Sequence, residues 1–315
     1  MEKLIATSAT PSHHFESWRY QREIQEQQIE ARKWKMPYRQ DRISKLDIAV
    51  RAFGGLLKLV GLHWVGKKQA ENFVLKQVEL RFAQLPAAFD GFRLLHLTDL
   101  HLDTLPGMED RVVELIGGLP CDACVWTGDY RRDTHGEYRH VLPGLAKIAQ
   151  SIRAKEGIYS TLGNHDTWQM AEPLSQMGLR VLINESVEWE RGGEKILVTG
   201  VDDPHYYYSM SASKALHTPK EGFKIALIHT PELYEEAAQQ GYHLYLCGHT
   251  HGGQICLPNG RPLIKHLHRG GEYAQGLWHY RQMTGYTSTG CGVSGIPVRF
   301  FSQGEITLFT LRSTV

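Results

Sequence analysis

The run Leu244-Tyr245-Leu246-Cys247-Gly248-His249-Thr250-His251-Gly252-Gly253-Gln254 sets the architecture. Leu244 to Cys247 is an apolar segment of strand length, and a glycine and two histidines interrupt it at its carboxyl end. His249 and His251 are two residues apart, so on extended backbone they face one side and can aim at one ion. The same pattern recurs upstream. Phe92–Leu97 runs into Thr98-Asp99-Leu100-His101, and Ala123–Trp126 into Thr127-Gly128-Asp129. Gly157–Leu162 runs into Gly163-Asn164-His165-Asp166, and Ile225–Ile228 into His229-Thr230-Pro231. Five predicted strands thus deliver Asp, Asn or His to their carboxyl ends, where open α/β sheets bind ligands. Gly128, Gly163 and Gly248 stand where tight turns or close backbone approach are needed.

These donors are carboxylate, imidazole and amide oxygen, without thiolate. They suit Mn²⁺, Fe²⁺ or Zn²⁺ at a hydrolytic site better than a closed structural zinc. The residue order alone does not divide them between ions. Asp99-x-His101, Gly128-Asp129, Gly163-Asn164-His165-Asp166, His229 and Gly248-His249-x-His251, in that order, resemble the motifs of the calcineurin-like metallophosphoesterase superfamily. The resemblance runs from about Phe73 onward. It implies an α/β fold of two mixed β-sheets packed face to face and flanked by helices, in four layers. It also implies two adjacent divalent ions, manganese first, with iron or zinc as alternatives. Asp99, His101 and His251 would hold one ion, Asn164, His229 and His249 the other, and Asp129 would bridge them. A bridging hydroxide would attack the phosphorus. His165 would stabilise or protonate the leaving oxygen, with Asp166 orienting its imidazole.

The departures narrow the branch. Protein Ser/Thr phosphatases carry a longer arginine-containing second motif, and purple acid phosphatases a metal-binding Tyr where Arg132 stands. The main UDP-2,3-diacylglucosamine hydrolases have Arg in place of His165. The sequence is more similar to bacterial membrane-associated members, which share Gly128-Asp129-Tyr130, Gly200-Val201-Asp202-Asp203 and the His249–Gln254 run. That branch includes envelope phosphodiesterases and an alternative class of UDP-2,3-diacylglucosamine hydrolase. The expected reaction is therefore hydrolysis of a phosphodiester or pyrophosphate, with a lipid-linked phosphate ester as substrate. A nuclease or cyclic-nucleotide-type phosphodiesterase on the same scaffold is the alternative. A non-catalytic scaffold ranks last, because such members lose ligands and this chain keeps them all.

Arg131 and Arg132 could meet substrate phosphate bidentately, or be solvated charges. Tyr206 could stack on a base or touch acyl chains, or cover a sheet edge. Cys121-x-x-Cys124 reads as strand packing. Gly290-x-Gly292-x-x-Gly295 precedes a predicted strand at Pro297–Phe300, without the helix a dinucleotide site needs, so it reads as a substrate-side loop. His266-x-His268 reads as surface.

Composition sets the remaining bounds. Of 315 residues, 42% are hydrophobic and 22% charged, enough for an ordinary core. A net charge of +1 argues against a globally basic nucleic-acid binder, so no nucleic-acid partner is expected. Five cysteines fit reduced thiols and a cytoplasmic location. The opening residues do not read as a secretory signal, and no apolar run of about 18 residues predicts a spanning helix. Yet Ala31 to Ala70 carries ten Lys/Arg against two Asp/Glu. Within it Leu46, Ala49, Val50, Phe53, Leu56, Leu57, Val60 and Trp64 recur at helical spacing. Such a basic helix can lie in a membrane interface through 43–65, or pack on the protein's own core. The expected organisation is a polar N-terminal extension (1–42), a basic amphipathic helix (43–72) and a metallophosphoesterase domain (73–315), peripheral on the inner membrane face.

Overall fold

The computed structural model describes residues 13–34, 45–263 and 265–314. Met1–Arg42 and Ile43–Val315 are separate compact units. Within the first, helix α1 (His13–Trp34) is polar and carries an Arg22–Glu26 ion pair at 3.0 Å, one turn apart.

In the second unit the described strands are β1 (Val74–Phe82), β2 (Phe92–Leu97), β3 (Ala123–Thr127), β4 (Ile158–Thr161), β5 (Leu179–Val181), β6 (Glu185–Arg191), β7 (Glu194–Val201), β8 (Phe223–Ile228), β9 (Leu244–Cys247), β10 (Gly276–Tyr280), β11 (Met283–Thr287) and β12 (Glu305–Ser313). They form two six-stranded sheets, ordered β1-β12-β2-β3-β4-β5 and β10-β11-β9-β8-β7-β6. Both are mixed. In the first only β12 and β2 run antiparallel; in the second the outer pairs β10–β11 and β6–β7 do. The described helices are α2 (Lys45–Leu59), α3 (Leu62–Glu71), α4 (Met108–Ile116), α5 (Leu142–Ser151), α6 (Ala171–Gln176), α7 (Pro204–Tyr207), α8 (Met210–Leu216) and α9 (Tyr234–Gln239).

Strand periodicity shows how the layers stack. Ile225 and Leu227 of β8, with Leu244 and Leu246 of β9, join Leu94, Val125, Phe309 and Leu311 of the first sheet in a core between the two sheets. Their neighbours Ala226, Ile228, Tyr245 and Cys247 face the other way, onto Ala212 and Leu216 of α8 and Ala237 of α9. Strands buried on both faces read as continuous apolar runs, which is what β8 and β9 show in the sequence.

Two expectations need correction. Pro297–Phe300 is not a strand: Phe300 makes an isolated bridge to Ile255, and the Arg299 N–H donates to the Gly66 carbonyl at 2.9 Å. The strand lies further on, at β12. The segment 43–72 is not one helix either. It breaks at Gly61, whose φ of 73° is left-handed, and α3 restarts from there. Among the described residues of this helix pair Leu57, Gly66 and Ala70 are buried, and a β-carbon at Gly66 would collide with Val298 and Phe300. Of the five stripe residues whose side chains are described, four point outward. Phe53, Leu56, Val60 and Trp64 are exposed, as is Leu59 at 84%. The side chains of Leu46, Ala49 and Val50 lie outside the described residues. No described helix is long and apolar enough to cross a membrane.

Candidate metal centre

The loops after β2, β3 and β4 bring Asp99, His101, Asp129, Asn164 and His165 from the first sheet. Those after β8 and β9 bring His229, His249 and His251 from the second. The donors of the two sheets converge at the carboxyl ends of these strands. Asp99, His101 and His251 form one group of potential ligand atoms, His101, Asp129 and His165 another, and Asp129, His229 and His249 a third. Asn164 Oδ1 lies 3.1 Å from His229 Nε2 and 2.9 Å from His249 Nδ1.

The convergence does not arise from strand alternation. Asp99, His101, Asp129, His249 and His251 have φ between 37° and 71°, in the left-handed region that non-glycine residues avoid. Each such residue costs on the order of 1 kcal/mol or more, and the surrounding hydrogen bonds hold it there. The Asp99 N–H donates to Gly128 O at 3.0 Å, His101 N–H to Asp129 O at 3.1 Å and Gly292 N–H to Asp99 O at 2.8 Å. The glycines leave the room. A β-carbon at Gly248 would fall on the Asp99 carboxylate and the Thr98 hydroxyl, and one at Gly163 on the Asp129 carboxylate.

Ring hydrogen bonds aim the imidazoles. His101 Nδ1 is 2.6 Å from the Arg131 carbonyl and His229 Nδ1 is 2.6 Å from the Thr127 carbonyl. A carbonyl only accepts, so Nδ1 carries a hydrogen in both rings and Nε2 is the atom turned to Asp129 Oδ2, at 3.5 Å and 3.2 Å. His249 is reversed: its Nε2 donates to the His266 carbonyl at 2.6 Å, so Nδ1 turns its lone pair to Asn164 Oδ1. His101 Nε2 is buried without a hydrogen-bond partner. Lone pairs and carboxylate oxygens that converge in a buried space are what a cation satisfies, so these residues fit divalent metal.

The electrostatics agree. Burial pushes His101 down to about 4, and burial together with neighbouring imidazoles takes His249 and His251 well below their usual range. Those rings are neutral at pH 7, as ligands must be. Burial also works against a charged His229, but Asp129 outweighs it and lifts the ring to about 10. Burial would raise Asp129, and His229, His165 and His101 around it hold it well below the carboxylate range. Burial and the nearby Asp129 charge lift Asp99 to about 6, against the pull of His229.

The other predicted site residues occupy places of a different kind. Asp166 does not orient the His165 ring. Its buried carboxylate accepts the N–H groups of Gly163 and Asp129, both at 2.7 Å, and of Tyr130 at 2.9 Å, which ties the β3 and β4 turns together. The His165 ring is held at Nδ1 by the Arg132 carbonyl, and its Nε2 lies 3.9 Å from Asp129 Oδ2. Arg131 is buried and bonds the carbonyls of His165, Gly136 and Glu137 through Nε and Nη1, so those donors are engaged by backbone and not open to a phosphate. Arg132 does remain exposed, its side chain at 51%, and so does Tyr206 at 43%, which packs on His205 with ring centres 4.9 Å apart.

Several residues under the centre were not singled out from the sequence. Arg299 is fully buried and donates to the carbonyls of His251, Thr289, Gly290 and Gly292 at 2.7–3.1 Å. Gln254 bonds the Ser294 and Ile296 carbonyls and accepts the Ser294 N–H. The glycine-rich loop is therefore a brace beneath Asp99 and His251. A lone arginine inside the apolar run Ile296–Phe300 was the available signal, since a buried guanidinium must find acceptors. His268, read as surface, stacks on His205 at 4.5 Å, and His205 lies 4.5 Å from His249. All five cysteines are buried free thiols.

Comparison with known proteins places this geometry. The profile described as calcineurin-like phosphoesterase matches residues 92–253. The uncharacterized metallophosphoesterase YkuE of Bacillus subtilis is 31% identical over 250 residues, covering 75% of this chain and 84% of that protein. A transmembrane protein with metallophosphoesterase domain from Danio rerio is 30% identical over 255 residues, covering 75% and 56%. The phosphodiesterase YaeI of Escherichia coli K12 is 26% identical over 238 residues, covering 70% and 82%.

Proposed function

The chain belongs to the calcineurin-like phosphoesterase family, and from that premise we propose that this metal-dependent phosphoesterase is a two-metal hydrolase of a phosphodiester or pyrophosphate bond. The observation that carries the reading is the Asp129 carboxylate, which stands in two of the donor groups, with His101 and His165 and with His229 and His249. Asp99, His101 and His251 would hold one ion and Asn164, His229 and His249 the other, with Asp129 between. Manganese is our first assignment; the donor set also accommodates iron or zinc. Bound there, two such ions supply charge neutralisation at the phosphoryl oxygens and a lowered pKa for water.

The side chains do the rest. His101 and His229 keep Nδ1–H on backbone carbonyls, so their Nε2 atoms stay aimed inward. His165 is the accessible imidazole, 17% exposed. Its Nδ1 proton rests on the Arg132 carbonyl, which leaves Nε2 to carry a proton to the departing oxygen. Asp166 acts through the backbone as a positioning residue. The exposed Arg132 guanidinium would meet a second phosphate oxygen, and the exposed Tyr206 ring would offer the substrate an aromatic face.

For substrate class we favour a lipid-linked diester. The exposed face of α2 and α3 combines Leu56, Leu59, Val60 and Trp64 with Lys58, Lys67 and Lys68, a composition suited to an anionic lipid interface. A peripheral place on the inner membrane face follows from this reading. The test uses the full chain with Mn²⁺ on an aryl phosphodiester and on UDP-2,3-diacylglucosamine, with products followed by mass spectrometry. Turnover of the aryl diester that Asp129→Asn nearly abolishes is expected; a fully active Asp129→Asn refutes the assignment. Release of UMP supports the lipid class. Failure on that substrate, or cleavage of single-stranded DNA instead, removes it. Co-sedimentation with anionic liposomes checks the α2–α3 face separately.

A further inference from the structure

Beside His249, outside the donors used above, three side chains from separate segments close on one point. His205 comes from α7, Glu232 from the turn between β8 and α9, and His268 from the loop before β10. Glu232 is buried, and its Oε1 faces His205 Nδ1 at 2.9 Å while accepting the His268 N–H at 2.7 Å. The imidazoles of His205 and His268 stack at 4.5 Å with planes 22° apart. One ligand atom from each of the three lies within 4.8 Å of the others.

We propose that His205, Glu232 and His268 form a third divalent-cation site, of zinc type, at the rim of the two-metal centre. The set reproduces a group already described. There, His101 and His251 stack at 5.0 Å and 30°, and the Asp99 carboxylate accepts the N–H of His249 at 2.9 Å. Here, a stacked imidazole pair and a carboxylate anchored by a histidine N–H recur with closely similar spacings. Two imidazoles and one carboxylate are a three-ligand zinc set that leaves a fourth position open. His268 is exposed, so an ion can enter, while His205 and Glu232 are almost fully covered and fix its place. The His205 ring is 4.5 Å from that of His249, and the same loop supplies the His266 carbonyl that holds His249 Nε2. An ion here would therefore anchor the loop that aims a ligand of the main centre.

The competing account is a hydrogen-bonded pin that holds the loop without metal, and stoichiometry separates the two. The full chain is stripped with chelator, reloaded with Zn²⁺, desalted and analysed by plasma mass spectrometry, alongside calorimetric titration. Three zinc ions per wild-type chain are expected, falling to two in Glu232→Gln and in His268→Ala. His268→Ala alters an exposed ring, and Glu232→Gln keeps an acceptor for the His268 N–H, so both variants are expected to fold, which circular dichroism melts check. Two ions in the wild type, or three retained in both variants, overturns the site and leaves the two-metal reading intact. No bound ion at all overturns both.

Discussion

Consider the metal-stripped chain at about pH 8. Burial alone would neutralise His229, but Asp129 Oδ2 lies 3.2 Å from its Nε2, and with Asp99 and Asp203 it holds the ring's pKa at about 10. His101, His249 and His251 are already neutral. An ion that engages His229 must therefore displace one proton, and at about pH 8 this costs roughly 3 kcal/mol. Each unit of acidification adds about 1.4 kcal/mol, a factor of ten in apparent affinity. The proton is the competitor, so affinity falls as pH falls. The slope of log affinity against pH is about +1 from about pH 6 to about pH 10. Near pH 6 Asp99, raised mainly by burial, begins to take up a second proton, and the slope steepens. Competition against a chromophoric chelator measures the slope. Calorimetry in two buffers of different ionisation enthalpy counts the protons released. A pH-independent affinity, with no proton released near pH 8, would refute the claim that a proton fills this half of the centre when metal is absent.

Other outcomes follow from the same geometry. His165→Ala should slow turnover by about 10²- to 10⁴-fold with metal content unchanged; a parallel loss of metal would make His165 a ligand instead. Gly248→Ala places a methyl on the Asp99 carboxylate, so metal content and melting temperature should both drop; neither changing would show that the turn has slack. His96, inside β2, is pushed down to about 3 by burial while the unfolded chain titrates near 6.5. The unfolded state takes the proton first, so this part of stability is complete above about pH 6.5 and is lost as pH falls toward 3. The loss is about 2 kcal/mol by about pH 5. His96→Gln, which can still bond Thr127, should lack that loss in urea melts at the two pH values; an equal acid sensitivity would contradict it.

The sequence carried the strands that end in donors because β3, β8 and β9 are buried on both faces and β2 nearly so, and a polar cluster after an apolar run stands out. It carried the donor types too. It did not carry why they converge. Left-handed backbone at Asp99, His101, Asp129, His249 and His251 depends on carbonyls and glycines supplied by other loops. Asp166 shows the limit well. A carboxylate next to a histidine suggests an imidazole partner, yet three backbone N–H groups from two turns claim it. His268 gave no strand-end signal, since its loop is placed by Glu232, distant in sequence. The amphipathic stripe was visible, but its packed side was not, because Gly66 docks by having no side chain.

The placement of β12 bears on how the protein comes to exist in a cell. It is inserted between β1 and β2, so Val74 waits for Glu305, more than two hundred positions later, before its strand has a neighbour. Until then the edge of β2 is open, and Asp99 at its end has no Arg299 brace behind it. Synthesis proceeds in the order of the sequence, and this sheet cannot close in that order. The part already made must stay unaggregated until β12 arrives to cover these edges.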